Sequence, residues 1–262
     1  MKSFTNEIHK GIYCPESFDE MMRVVAEAPE GRNSLVRMWR GQSNADWQLH
    51  SAAYRRIAAA KNRAIVEKDI IFYEEILLKH AKHKGFNYLD GHELSDLELL
   101  SRLQHHGAAT RLVDFTRSAL IALWFCISGE PNETGVLAGI HAHFIGGYEG
   151  ELDKRTYNDV INGLETIQHP MTWEPPLVTP RIAAQHSQFV YSDVCDLPTG
   201  SLKLPKEEES RLFIAVTPAL KASLKAILSD VFDIRATTIF PDLDGFCLAN
   251  GPAITPDDML RW

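Results

Sequence analysis

The strongest apolar signal in the chain runs from Ser118 to Ile127, with Leu120, Leu123, Trp124 and Ile127 at helical spacing. It predicts a buried helix. Just before it, Thr110-Arg-Leu-Val-Asp-Phe-Thr116 alternates polar and apolar positions, the period of a strand. In that register Thr110, Asp114 and Thr116 share a polar face while Val113 and Phe115 face the core. Arg111 falls among the apolar positions, so it must turn outward or pair with an acid. Gly107 separates this strand from Gln104, His105 and His106 and marks a loop. Polar groups beside a core need partners, because each one left unsatisfied costs about 1–3 kcal/mol. A strand so dense in hydrogen-bonding groups is expected to form the floor of a functional pocket.

The same patterning predicts the other elements. Residues 16–29 read as an amphipathic helix with Ser17 as N-cap, stopped by Pro29 and Gly31. Leu35 to Arg40 reads as a strand ended by Gly41, and residues 46–50 as extended or irregular. From Ala53 to His80 a helical pattern dominates, with Ile65, Ile70, Ile76 and Leu77 on its apolar face. Gly85 to Gly91 reads as a loop, and Ser95 caps a helix reaching Gln104. Gly135 to Ile145 is an expected strand broken by Gly146 and Gly147. Residues 148–176 read as an insertion, and the segment around Lys206 to Glu209 as a charged loop or hairpin. Arg211 to Val216 is an expected strand, and Pro218 to Phe232 a helix entered through Thr217. Thr237 to Gly245 reads as a short strand and turn. With no repeat and no Gly/Ser linker, the economical organisation is one α+β domain over residues 1–262, helix-rich through 104 and strand-rich from 105.

Composition narrows the function. The chain has 262 residues, 45% of them hydrophobic and 24% charged, the balance of a soluble globular protein. No apolar run approaches the ~20 residues of a membrane span, and the N-terminus lacks a secretory pattern. A cytoplasmic location without membrane association is expected. Cys14, Cys126, Cys195 and Cys247 are scattered, which fits reduced cysteines better than a disulfide framework or a zinc site. The net charge of −8 argues against bulk electrostatic binding of nucleic acid, although Arg32, Arg37 and Arg40 leave room for a local basic patch. His141 and His143 lie two apart on the expected strand, hence on one face, but no third ligand is evident nearby. Asp242 and Asp244 read as turn-formers, and no metal is expected. Phosphate-loop, dinucleotide-fingerprint, nucleophile-elbow and zincin motifs are all missing from the sequence.

Two motifs together resemble the FRG domain family. One is Met38-Trp-Arg-Gly-Gln42; the other runs from Gln104-His-His-Gly to Asp114-Phe-Thr-Arg-Ser118. The family's central signature looks like Gln-His-x-Gly-x-Pro-Thr-Arg-Leu-Leu-Asp-Trp-Thr, from which the chain departs at Ala109 and Phe115. Phe240-Pro-Asp-Leu-Asp244 is also similar to a family feature.

A more distant resemblance is to the ADP-ribosyltransferase superfamily, whose members bind NAD with three separated elements. Trp39-Arg40-Gly41 resembles the first, Asp114-Phe-Thr-Arg-Ser118 with the following helix the second, and Ala184-Gln185-His-Ser-Gln-Phe189 the third. This resemblance implies a helical N-terminal part packed on a split, mostly antiparallel sheet of ADP-ribosyltransferase-like type. It also implies NAD as a substrate and a protein or nucleic-acid acceptor, or hydrolysis of NAD, as in a toxin or an anti-phage effector. In that frame Arg40 holds a phosphate or ribose with Gly41 and Gln42, and Gly41 lets backbone approach the ligand. Thr116 and Asp114 contact the nicotinamide ribose, and Thr110 and Arg117 complete the binding set. Gln185 sits near the transferring carbon, and His105 serves as acid or base. The third element normally presents Glu; losing such a charge typically costs about 2.7–4 kcal/mol of transition-state stabilisation, unless Asp114 supplies it.

Other readings of the same residues stand beside these. Arg40 can pair internally with Asp114, the polar strand can pin two halves of a sheet, and His105 can be structural. Two rival functions are a non-catalytic module recognising a nucleotide or nucleic-acid end, and a nuclease using His105 and His106 with Asp114.

Overall fold

The computed structural model describes residues 2–4, 6–9, 11–26, 36–61, 63–148, 154–177 and 179–251. Its first elements are β1 (Lys2–Phe4), β2 (Ile12–Cys14), α1 (Phe18–Ala26) and β3 (Val36–Gln42). Three longer helices follow, α2 (Ala52–Ala60), α3 (Glu67–His83) and α4 (Asp96–His105), with the short pair β4 (Tyr88–Leu89) and β5 (His92–Glu93) before α4. The middle of the chain gives β6 (Val113–Thr116), α5 (Ala119–Ile127), β7 (Gly135–His141), β8 (Gly146–Tyr148), α6 (Tyr157–Ile161) and β9 (Met171–Trp173). The rest comprises α7 (Pro180–Ala184), β10 (Ser187–Tyr191), the pair β11 (Val194–Leu197) and β12 (Gly200–Leu202), β13 (Arg211–Val216), α8 (Pro218–Ala226), α9 (Ala236–Ile239) and α10 (Leu243–Ala249). Among the described residues six of ten α-helices and eight of thirteen strands follow Gln104, so helices and strands interleave rather than divide there.

Nine strands make one mixed sheet in the order β1-β2-β13-β7-β3-β6-β10-β9-β8. Its pairs are antiparallel except β2 with β13 and β8 with β9. Successive residues of the central strands point into different cores, the period-2 rule at work. Met38, Val136, Ala138, Ile140, Phe213 and Ala215 join Val113, Phe115 and Val190 in one cluster. Trp39, Leu137, Ile214 and Val216 face the opposite way, against α1, α5 and α8. With both faces covered, β7 is buried along its whole length, which is why it reads as a continuous apolar run. A third cluster packs α3, α4 and α6 around Leu99, Leu100, Trp173 and Tyr191.

The sheet is joined unevenly. β3 pairs with β7 through six residue pairs, and β6 with β10 through four. Between β3 and β6 there is a single pair, Trp39 with Thr116. That seam positions the candidate site.

Local chemistry explains where elements depart from the periodic pattern. The helical stretch from Ala53 to His80 is two helices, because Lys61 is extended and Asp69 caps α3 through the Val66 N–H at 3.1 Å. Arg63 and Lys61 both pair with the Asp69 carboxylate and close the joint. The expected strand at 237–245 is instead α9 and α10. Thr238 Oγ1 accepts from the Arg235 N–H at 2.9 Å, and Asp242 caps α10 through the Gly245 N–H at 2.8 Å. Gly146 and Gly147 do not break a strand; they lie within β8. A Cβ on Gly147, whose φ is +150°, would sit 2.2 Å from the Thr172 carbonyl oxygen of β9. His141 ends β7, and His143 belongs to a 3₁₀ turn whose N–H donates to His141 Nδ1 at 3.0 Å, so the two do not share a strand face. Ser17 accepts from the Glu20 N–H as expected of a cap, while Pro29, Gly31 and Leu35 lie outside the described residues.

Arg111 resolves its conflict by pairing. Its Nε donates to Glu74 at 2.6 Å, Nη1 to Glu67 at 2.8 Å and Nη2 to the Tyr157 hydroxyl at 2.7 Å. Burial opposes its charge, but Glu74, Tyr157 and Glu67 outweigh that and hold the guanidinium above its ordinary range. The network locks α3 and α6 to the chain entering β6.

A second buried titratable group gives a pH prediction. His9 is 0% exposed, its ring lies 4.5 Å from that of Phe213, and neither ring nitrogen has a hydrogen-bond partner among the described residues. Burial, then the charge of Arg211, lowers its pKa from 6.5 to about 4. The folded state therefore resists a proton that the unfolded chain accepts. Stability is fully present above pH 6.5 and falls towards pH 4, by roughly 3 kcal/mol from this group. Urea titrations across that range should show the decline, and His9→Phe should flatten it.

No helix among the described residues is long and apolar enough to cross a membrane. The cysteines are free, and burial pushes the Cys126 thiol up to about 12, as befits a core residue.

Candidate functional site

A cavity of about 330 Å³ opens at the seam between β3 and β6. Its floor is Trp39, Arg40 and Gly41 from β3 with Asp114, Phe115 and Thr116 from β6. α4 contributes Gln104 and His105, α7 contributes Arg181 and Gln185, and Phe125 and Phe240 supply aromatic wall. Seven residues singled out in the sequence thus meet here: Arg40, Gly41, Gln104, His105, Asp114, Thr116 and Gln185.

Arg40 is half-buried. Its Nη1 donates to the backbone carbonyl of Asp114 at 2.8 Å, bridging the seam below the single strand pair. The internal contact is thus to main chain rather than to the carboxylate. Its Nε is buried and without a partner. Burial draws the pKa of the guanidinium below its ordinary value, with Asp114 opposing and Arg55 adding to the shift. A partly desolvated guanidinium on a cavity wall attracts an anionic oxygen.

Asp114 is held from the other side. Thr110 donates its hydroxyl to Gln104 Oε1, which fixes the amide so that Gln104 Nε2 donates to Asp114 Oδ1 at 2.7 Å. Thr110 is 0% exposed and does not line the cavity; it orients Gln104 instead. Thr116 Oγ1 accepts from the Ser118 N–H at 3.0 Å, shaping the turn into α5. Ser118 in turn accepts from the Ile121 N–H and caps that helix.

Gly41 serves packing. A Cβ there would lie 1.8 Å from the Ala122 carbonyl oxygen and 2.7 Å from the Cys126 nitrogen, both backbone atoms of α5. The helix sits directly on β3, and the expected approach of a ligand is not what makes this residue glycine.

Gln42 and Arg117 are not on the cavity. Gln42 is buried with its Nε2 donating to the Trp47 carbonyl at 3.1 Å. Arg117 is exposed and donates to Gln188 at 3.2 Å. Gln185 ends α7 and commits its Nε2 to the Ile239 carbonyl at 3.2 Å. His106 is exposed and lies outside the main cavity, in a shallower hollow with His105 and Asp244.

His105 is half-buried with Nε2 3.5 Å from Asp242. Burial lowers its pKa, and the charges of Arg181 and His106 lower it further against Asp242 and Asp244. The imidazole is therefore neutral near pH 7 and free to accept a proton.

Sequence reasoning overlooked Arg181. It makes a bidentate pair with Asp242 at 2.9 and 2.8 Å, and its guanidinium lies 4.7 Å from the centre of the Phe240 ring. The signal was split between Thr179-Pro180-Arg181 and Phe240-Pro-Asp242, which nothing local connects. Arg181 is balanced by Asp242, so Arg40 beside Asp114 and the aromatic wall of Phe125 and Phe240 set the character of the cavity. A lining with an aromatic wall and a few convergent polar groups suits a flat ligand with polar substituents.

No curated protein and no solved structure matches the chain. The family comparison does find a counterpart, and it covers the two motifs that build the floor of the cavity. Residues 36–134, from the start of β3 to the turn before β7, match the FRG domain.

Proposed function

We propose that the cavity binds NAD or a related nucleotide in an arrangement of ADP-ribosyltransferase type, and transfers ADP-ribose to a macromolecule or to water. The observation that carries this reading is the meeting of Arg40, Thr116 and Gln185 around one cavity, at a seam closed by one residue pair. A volume of about 330 Å³ is at the small end of ligand sites, about 300–1,000 Å³, and fits the mononucleotide half that reacts. Arg40 lines the cavity and holds a phosphate or ribose oxygen through its guanidinium. Phe125 and Phe240, packed edge to face with ring centres 6.0 Å apart, form one wall for the nicotinamide ring, and Thr116 and Asp114 face its ribose. In the reaction the bond from C1′ to nicotinamide breaks and its electron pair leaves with the ring. The acceptor atom bonds to C1′ and gives up a proton, which neutral His105 is placed to take. Asp114, held by Gln104, supplies negative charge beside the developing cation.

Recognition without turnover is the alternative, and Gln185 favours it. An amide tied to the Ile239 carbonyl offers no charge to the transition state. The two separate by experiment. Purified protein incubated with NAD, with and without protein or nucleic-acid acceptors, is expected to release nicotinamide. Arg40→Ala should abolish release and weaken NAD binding, whereas Gln185→Glu should leave turnover intact or raise it, by up to about 10²–10³ if the charge alone was missing. Binding with no release from either the parent or Gln185→Glu would make the site a recognition module. No binding at all would refute the nucleotide reading.

A further inference from the structure

We propose that His105, His106 and Asp244 form a binding site for a divalent transition-metal ion at the outer edge of the cleft. One ligand atom from each lies within 4.8 Å of the others. Donors at ordinary metal–ligand distances of ~2.0–2.2 Å stand about 3.3–3.6 Å apart in a tetrahedral site, so the three must draw together by about 1 Å to hold an ion. His106 and Asp244 are both exposed, which leaves their side chains room to turn towards a common ion.

The fold brings these residues together for a local reason. Neighbouring side chains on a helix diverge, but α4 stops here. His106 leaves the helix at φ −89° and ψ 17°, and Gly107 follows at φ +89°. The two imidazoles therefore stay side by side, with ring centres 4.8 Å apart and planes at 80°. Asp244 arrives in the first turn of α10, whose start Asp242 fixes by accepting from the Gly245 N–H.

The electrostatics admit a cation. The charged groups facing the pair are Arg181, Asp242 and Asp244. Arg181 is neutralised by its bidentate pair with Asp242, which leaves the carboxylate of Asp244 and two imidazoles. The negative end of the α4 dipole adds to the attraction. Ligation uses the same His105 lone pair as the proton transfer proposed above, so ion-bound and proton-accepting His105 are alternative states of the site.

Two nitrogens and one oxygen, with no thiolate, suit Zn²⁺ and its harder neighbours and leave coordination positions open. A hollow of about 290 Å³ lies over these residues and shares His105, Arg181 and Phe240 with the main cavity. An ion here reaches an oxygen anion, phosphate or carboxylate, of a ligand seated in the cleft. No metal is expected from the sequence, and the His141 and His143 pair weighed there is separated by the 3₁₀ turn.

The test needs no nucleotide, so its outcome is independent of the proposed reaction. Metal-free protein is titrated with Zn²⁺ by calorimetry and with Co²⁺ by visible absorption. One ion per chain should bind. His106→Ala and Asp244→Ala, both at exposed positions and checked for an unchanged Tm, should each weaken binding by more than the 10–100-fold that loss of an outer-shell partner costs. His143→Ala should leave binding unchanged. Absence of binding, or binding that survives both substitutions or depends on His143, would overturn the site.

Discussion

Glu74→Ala should lower the folding free energy by about 3–5 kcal/mol, the usual result of removing one partner from a buried ion pair. Glu74 is 0% exposed, and its carboxylate takes both the Arg111 backbone N–H at 2.5 Å and the Arg111 Nε at 2.6 Å, with the Tyr157 hydroxyl donating at 2.6 Å. Without it Arg111, 3% exposed, keeps only Glu67 to balance a charge it cannot carry to water. The damage also reaches the site, because Arg111 adjoins Thr110, which orients Gln104 towards Asp114. Urea denaturation measures the loss. A double variant, Glu74→Leu with Arg111→Met, is expected to recover much of it, since the desolvation cost of both charges disappears together. If Glu74→Ala alone leaves the urea midpoint unchanged, the network is not a stabilising joint between α3 and β6.

Gly41→Ala should cost about 3 kcal/mol, the upper end of ordinary overpacking. The added carbon overlaps the backbone of α5 at 1.8 Å, and no rotamer relieves a clash with main chain. The helix must lift from β3, and it carries Phe125 into the cavity wall. This outcome separates packing from ligand approach. A packing glycine loses Tm in the absence of any ligand, whereas a glycine needed only for ligand approach would keep its Tm and lose binding. Retention of the parent Tm would show that α5 does not sit where it is described.

Much of this framework was legible because it is local. The apolar run from Ser118 to Ile127 predicts α5, and Ser95 reads as the cap of α4; its hydroxyl accepts from the Glu98 N–H, and Ser118 likewise caps α5. The alternation from Thr110 to Thr116 placed Val113 and Phe115 in the core and Asp114 and Thr116 on the cavity. Elsewhere periodicity misled. Thr237-Thr-Ile-Phe240 has strand-like composition, yet Thr238 caps the helix α9 that holds most of it and Asp242 caps α10 just after, and capping decided the outcome. Gly41 was read as making room for a ligand when the neighbour needing room is a helix 81 positions along the chain, at Ala122.

What the amino-acid order determined alone, then, is the set of elements whose signals lie within a turn or two: caps, alternation and apolar stripes, all set by backbone hydrogen bonding over a few residues. Tertiary structure decided the rest. Only the packed sheet joins β3 to β6 by one pair, sets Arg181 against Asp242 across 61 positions of sequence, and turns His106 towards Asp244. Those contacts arise from burial of faces that are far apart in the chain, and no local pattern encodes which face meets which.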